Sequence, residues 1–147
     1  MPILYLTLDQ ALEVHRKTVA VSGGGSVGCL DSGQLDSILN HMRNDDYYQS
    51  LADKLTHLFF CTCKFHCFAD GNKRIAISLC AQMLLLNGYL RSVGEFIRES
   101  ENISYHVAAG NINKELLGEW MNAVLQGDED DEALKLKILN AISKGIP

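Results

Sequence analysis

The stretch that decides the fold is LADKLTHLFFCTCKFHCFADGNKRIAISLCAQMLLL, residues 51–86. Two of its segments, Leu51–Phe65 and Asn72–Leu86, carry apolar residues at helical spacing. Ser50 precedes the first segment as a predicted N-cap. The second segment is apolar nearly all round, which is typical of a helix buried on most sides. The pattern therefore predicts two central helices that pack together.

The loop between these two helices concentrates groups that bind anions or carry protons. They are His66, Asp70, Gly71, Asn72, Lys73 and Arg74. The start of the second helix offers unpaired backbone N–H groups and the positive end of the helix dipole. Two cations at that end oppose the dipole, and a bound anion would offset the opposition. We expect an active site for phosphate-containing chemistry here.

Each polar group of the loop has a role if the ligand is a nucleoside triphosphate with magnesium. Asp70 suits a hard cation, which prefers oxygen ligands. Gly71 lets the backbone approach a phosphate, to which Asn72 can donate at the helix start. Arg74 gives bidentate contacts to phosphate, and Lys73 adds a second, point-like cation.

His66 lies at the other end of the loop. Because a free histidine side chain has a pKa near 6.5, this residue could take a proton from an attacking hydroxyl. A structural interpretation stays open at this point. One histidine beside one aspartate arises by chance, and Lys73-Arg74 could be surface charge in a first helical turn. A metal hydrolase using His66 and Asp70 lacks further ligands nearby.

The rest of the chain predicts more helices. They are Thr7–Val21 with Thr7 as N-cap, a helix from Asp31-Ser32 to Met42, Asn113–Gln126, and a last helix through Leu134 and Ile142. Asn87-Gly88 predicts a helix stop. Tyr89–Val93 is interpreted as a short extended piece, and Glu95–Glu99 and Ser104–Ala109 as short helical turns. Residues 43–49 are predicted to form a short extended flap. The expected fold is all-α, one domain over residues 1–147, with at most a small β-hairpin flap.

Composition narrows the function classes. The chain has 147 residues and a net charge of −5, whereas direct nucleic-acid binding would require a basic face. No apolar run is long enough to span a bilayer. The N-terminus, Met1–Tyr5, lacks the basic region of a secretory signal. A cytoplasmic location is expected.

Three other features are interpreted as structural. The five cysteines are an odd number, which favours reduced thiols. Cys61 and Cys63 are two residues apart on a helix, a poor spacing for joint metal ligation with His66 and Cys67. The Gly-rich loop, residues 22–28, follows a helix and lacks a P-loop lysine, so we interpret it as a connector. The acidic segment 127–132 is expected to be solvated.

The central loop resembles a known signature, H-x-F-x-[DE]-[GA]-N-x-[RK], of the Fic/Doc (death-on-curing) family. All six fixed positions match within nine residues. They are His66, Phe68, Asp70, Gly71, Asn72 and Arg74. Weaker similarity extends over roughly residues 4–90. The resemblance implies a mostly helical protein that transfers a phosphate-containing group from a nucleotide to a protein hydroxyl, usually with magnesium.

Carried over by position, the resemblance implies that His66 is the general base and Asp70 the magnesium ligand. Gly71 and Asn72 would form the anion hole, and Arg74 would hold nucleotide phosphates. The segment around residues 45–48 falls where the family has its target-docking flap. Asp46 and Tyr47 are therefore candidate docking residues.

Lys73 distinguishes two branches of that family. Most AMP-transferring members have glycine there, whereas the death-on-curing toxins have lysine. The resemblance implies that the lysine fills the place of the terminal phosphates of ATP, so that the nucleotide binds turned round. The reaction would be transfer of the γ-phosphate to a Ser or Thr hydroxyl of a translation elongation factor, with Lys73 and Arg74 stabilising the transferred group.

Control is expected to come from a separate antitoxin. Family members with a built-in inhibitory helix carry [ST]-x-x-x-E-[GN]. The only Glu followed by Gly or Asn here is Glu101, and Ile97 occupies the position of the Ser or Thr. Two alternatives to the kinase remain open: AMP transfer to a protein hydroxyl, and a non-catalytic domain that binds an anion or a partner.

Overall fold

The computed structural model describes residues 2–21, 32–64, 72–128 and 131–144. Within these ranges the chain forms seven α-helices and no strand, so the all-α prediction is confirmed. None of these helices has both the length and the apolar character to cross a membrane. The helices are α1 (Leu8–Val21), α2 (Ser32–His41), α3 (Leu51–Lys64), α4 (Asn72–Leu86), α5 (Leu90–Ala108), α6 (Lys114–Gln126) and α7 (Glu132–Lys144).

Helices α3 and α4 form the centre of the fold, as the apolar pattern predicted. α3 packs against α2, α4, α5 and α6, and α4 packs against α1, α3 and α5. Leu55 and Phe59 of α3, and Leu79 and Met83 of α4, have no exposed surface. Burial of each such side chain contributes about 1.5–3 kcal/mol of transfer free energy to folding. Because the neighbouring helices pack against α3 and α4, these two central helices fix their positions.

Side chains cap two helices where the sequence predicted them. Thr7 Oγ1 accepts the N–H of Gln10 at 3.1 Å, and Gln10 Oε1 accepts the N–H of Thr7 at 2.9 Å. Ser50 Oγ accepts the N–H of Asp53 at 3.1 Å, and Asp53 Oδ2 accepts the N–H of Ser50 at 3.3 Å. Each reciprocal pair satisfies two backbone donors that a helix start leaves unpaired, and both N-cap predictions are confirmed.

Asn87 and Gly88 end α4, as predicted, and Asn87 also holds the N-terminal segment. Gly88 has φ of 84°, the left-handed region that favours glycine, and its N–H donates to Leu85 O at 3.2 Å. Asn87 Oδ1 accepts the N–H of Leu4 at 2.8 Å. Asn87 Nδ2 donates to Leu4 O at 3.0 Å and to Met83 O at 2.8 Å. One side chain therefore pairs both backbone groups of Leu4.

The interpretation of residues 89–109 was wrong. Tyr89–Val93 is not an extended piece, and Glu95–Glu99 and Ser104–Ala109 are not separate turns. All but the two end residues, Tyr89 and Ala109, lie in the single 19-residue helix α5.

Buried serines explain why α5 is continuous although its apolar pattern is interrupted. Phe96, Ile103 and Val107 are at most 5% exposed and form its apolar stripe. Ser100 and Ser104 lie on the same buried side, where a hydroxyl without a partner would be costly. Ser100 Oγ donates to a backbone carbonyl of its own helix at 3.2 Å, and Ser104 Oγ does so at 2.9 Å. Both serines are therefore satisfied within the helix.

Candidate anion site at the start of α4

Of the site residues predicted in the central loop, the structure describes Asn72, Lys73 and Arg74. His66, Asp70 and Gly71 lie outside the described residues, and so does Phe68. Asn72 begins α4, as the sequence predicted. Lys73 and Arg74 follow in its first turn, and both are exposed.

The start of α4 is electrostatically open to an anion. Its first turn contains no acidic residue. Among the described residues, the salt bridges include neither Lys73 nor Arg74. The positive end of the helix dipole and two side-chain cations therefore act together, and a negatively charged ligand is the partner that this arrangement favours.

Lys64, at the end of α3, adds a third cation to this end of the helix pair. Its Nζ would lie 3.7 Å from a Cβ placed on Gly110, in the connection between α5 and α6. Burial raises the pKa of the Cys63 thiol to about 12, and the charges of Lys73 and Lys64 partly oppose that shift. Both lysines thus act on the same thiol. Sequence reasoning missed Lys64, although its position two residues before His66 was a usable signal.

Tyr105 is a second residue that sequence reasoning missed. Lys73 Nζ lies 5.8 Å from the centre of the Tyr105 ring, within the range of a cation–π contact. Tyr105 lies near the end of α5, next to the start of α4. Because residues 89–109 were predicted as separate pieces, no sequence signal aligned this tyrosine with the motif.

Asp46 and Tyr47 lie in turns, so the predicted extended conformation of residues 43–49 was wrong. Asn44 organises this connection. Its carbonyl accepts the N–H of Tyr47 at 3.2 Å and of Tyr48 at 2.9 Å, and its Oδ1 accepts the N–H of Asp46 at 3.0 Å. Local bonding of this kind competes with strand pairing. Asp46 is exposed, and Tyr47 is 74% exposed.

A buried lysine anchors the turn that carries these two residues. The Lys54 side chain has no exposed surface, and its Nζ donates to Met42 O at 2.9 Å and to Asp45 Oδ1 at 2.7 Å. The same Nζ lies 5.5 Å from the Tyr5 ring centre. Burial alone would lower the pKa of Lys54, but bonding to Asp45 and Tyr5 outweighs it and the pKa is raised. The turn is therefore tied to the core.

Tyr48 connects the same turn to a buried histidine of α3. Its ring centre lies 4.5 Å from that of His57, and Lys114 Nζ lies 5.4 Å from the Tyr48 ring. Burial lowers the pKa of His57 to about 4, with Lys114 and His41 adding electrostatic repulsion. His57 is therefore neutral at pH 7.

Three cysteines lie among the described residues, and all three are buried. Burial raises the pKa of Cys61, Cys63 and Cys80, so each is a protonated thiol at neutral pH. This agrees with their interpretation as small core residues. Cys67 and His66 lie outside the described residues, as do Cys29 and the Gly-rich loop.

Comparison with known families gives one match. The model of the Fic/DOC family matches residues 5–84, more than half of the chain. The matched region contains α1 to α3, almost all of α4, and the motif between α3 and α4. The chain matches no curated protein and no solved structure.

Proposed function

Because this chain belongs to the Fic/DOC family, we propose that it is a protein kinase of the death-on-curing type. Members of the family are generally transferases that attach AMP or a related group to proteins. The proposed reaction moves the γ-phosphoryl group of ATP to a Ser or Thr hydroxyl of a translation elongation factor.

The observation that carries this proposal is the exposed pair Lys73-Arg74 in a first helical turn without acidic residues. Most AMP-transferring members of the family have glycine at the position of Lys73, which leaves that volume to the terminal phosphates of ATP. Here a cation occupies the position. A nucleotide bound the other way round would direct its γ-phosphoryl group towards the acceptor and place Lys73 beside the charge that develops there.

The proposed step needs one base and several fixed charges. His66 accepts the proton of the acceptor hydroxyl. The hydroxyl oxygen forms a bond to the γ-phosphorus while the bond from that phosphorus to the bridging oxygen breaks, and ADP leaves. Lys73 and Arg74 stabilise the negative charge on the transferring group. Backbone N–H groups at Gly71 and Asn72 hold the remaining phosphates.

Magnesium fits the donor set of the motif. Asp70 provides one carboxylate, and magnesium is commonly held by one or two carboxylates together with phosphate oxygens and waters. When bound, the ion neutralises phosphate charge. Lys73 and Arg74 lie at the same helix start and would contact the same phosphates.

Two protein partners are proposed. The acceptor protein docks on the turn that carries Asp46 and Tyr47, whose side chains are exposed. A separate antitoxin covers the nucleotide site, since Ile97 stands where a built-in inhibitory motif has Ser or Thr before Glu101-Asn102.

Incubation with ATP labelled separately at the α and γ phosphates tests the reaction type. We expect γ label alone on a protein of a cell extract that contains elongation factors. Label from the α position would overturn the kinase and establish AMP transfer. A folded chain that transfers neither label, in the presence of magnesium and acceptor, would identify a non-catalytic binding domain.

Three variants assign the roles. His66→Ala should reduce γ transfer by about 10²-fold or more, because it removes the base. Lys73→Ala should reduce transfer as well, whereas Lys17→Ala, at an exposed lysine of α1, is the charge-matched control and should not. Equal activity of wild type and His66→Ala would contradict the proposed mechanism.

A further inference from the structure

Tyr105 is an exposed aromatic residue with a specific contact to the proposed site. Its side chain is 58% exposed, so packing in the core does not explain its position. The centre of its ring lies 5.8 Å from Lys73 Nζ. An ammonium within about 6 Å of an aromatic ring centre is attracted by the negative face of the ring.

The Tyr105 ring is itself supported by its neighbours. The ring of His106 packs edge-on against it, with centres 5.1 Å apart and planes at 90°. His106 is only 9% exposed, and its Nδ1 lies 3.0 Å from Asn111 Nδ2. Tyr105 therefore extends from a buried, hydrogen-bonded histidine towards the start of α4.

Lys73 needs such support if its charge is to act at a defined place. A lysine ammonium is carried on a flexible four-carbon chain. Among the described residues, the salt bridges do not include Lys73, and its side chain is exposed. Its contact with the Tyr105 ring restricts where the ammonium lies.

We infer that Tyr105 is a positioning residue, which holds the Lys73 ammonium at the start of α4 and so favours transfer of the terminal phosphate. This inference rests on the proposed kinase reaction for its consequence, but the contact itself does not depend on that reaction. Tyr105 acts through Lys73 and needs no contact with the nucleotide.

Comparison of Tyr105→Leu with Tyr105→Phe tests the inference through activity. Because an exposed cation–π contact is weak, Tyr105→Leu should lower kcat/KM for γ transfer by about two- to fivefold. Tyr105→Phe keeps the aromatic ring and should therefore retain the kcat/KM of the wild type. In a Lys73→Met background, Tyr105→Leu should have no further effect. An equal loss in that background would overturn the inference, because Tyr105 would then contact the nucleotide or the acceptor directly.

An NMR measurement tests the contact without any transfer reaction. The ε-methylene signals of Lys73 should be shifted by the ring current of Tyr105. Tyr105→Leu should abolish the shift and Tyr105→Phe should keep it, with unchanged circular dichroism. Lys73 signals identical in wild type and Tyr105→Leu would refute the contact. Failure of the kinase proposal would appear instead as missing γ transfer by the wild-type chain, with the NMR result unaffected.

Discussion

Lys54 Nζ lies 2.7 Å from Asp45 Oδ1, and the two side chains differ completely in exposure: that of Lys54 is 0% exposed and that of Asp45 is 80% exposed. A buried cation in α3 therefore reaches outward to hold a solvent-facing turn. The turn includes Asp46 and Tyr47, so the proposed docking surface depends on a contact made inside the core.

Replacement of Lys54 by methionine should destabilise the chain. The variant keeps much of the volume but leaves the buried Met42 carbonyl without its 2.9 Å donor, which costs about 1–3 kcal/mol. Urea unfolding would measure the loss. Lys137→Met is the matched control, because Lys137 also forms a 2.7 Å ion pair, with Glu119, but on the surface. Exposed pairs contribute little, so equal losses in the two variants would contradict the anchoring role.

His57 should make stability depend on pH between about 4 and 6.5. Its pKa is about 4 in the folded chain because of burial, against 6.5 when unfolded. Between these two pH values, His57 is therefore protonated in the unfolded chain but neutral in the folded chain. The contribution of His57 to the free energy of unfolding is fully present above pH 6.5. It is lost as the pH falls towards 4, by at most about 3 kcal/mol. Urea unfolding at several pH values should show a weaker dependence in His57→Phe, and an unchanged dependence would refute the assignment.

The buried cysteines should resist alkylation. Cys61, Cys63 and Cys80 have raised pKa values and at most 6% exposure. The thiolate is the reactive form, so iodoacetamide at pH 7.5 should label these residues only after unfolding in urea. Peptide mass spectrometry reads each cysteine separately. Rapid labelling of Cys80 in the native chain would contradict its burial.

Two leucines of α7 provide a matched pair for its packing. Leu134 is 8% exposed, whereas Leu136 is 60% exposed. Leu134→Ala should lower the free energy of unfolding by about 2 kcal/mol or more, and Leu136→Ala should change it by less than about 0.5 kcal/mol. Thermal or urea unfolding would measure both. Similar losses would mean that α7 packs with another face.

The helices were predictable where the apolar spacing agreed with the residues that start or stop a helix. The bounds of α4, Asn72 and Leu86, were those predicted, because a polar motif precedes it and Asn-Gly follows. α5 was not predicted as one helix, since Ser100 and Ser104 interrupt its apolar pattern. Their hydrogen bonds within the helix depend on local geometry that spacing does not encode.

Only the part of the candidate site that is contiguous in the sequence was predictable. The order of motif residues placed Lys73 and Arg74 at the start of α4. Tyr105 approaches Lys73, and Lys64 shares an electrostatic effect on Cys63 with Lys73, through helix packing. The burial of Lys54 depends on the path of residues 42–45. Such contacts are set by tertiary structure, so the motif alone could not reveal them.

Asn87, which ends α4 and pairs with Leu4, also affects the chemical lifetime of the chain. An asparagine followed by glycine is prone to deamidation, in which the glycine nitrogen attacks the side-chain amide carbon. Here Gly88 N–H donates to Leu85 O, and the Asn87 amide is bonded to Leu4 and Met83. In the folded chain, both reacting groups are thus engaged in hydrogen bonds, which disfavours the attack. Deamidation of Asn87 while the chain is unfolded would replace the donor to Leu4 O with a carboxylate oxygen. A chain altered in this way would be less able to close its N-terminal segment again.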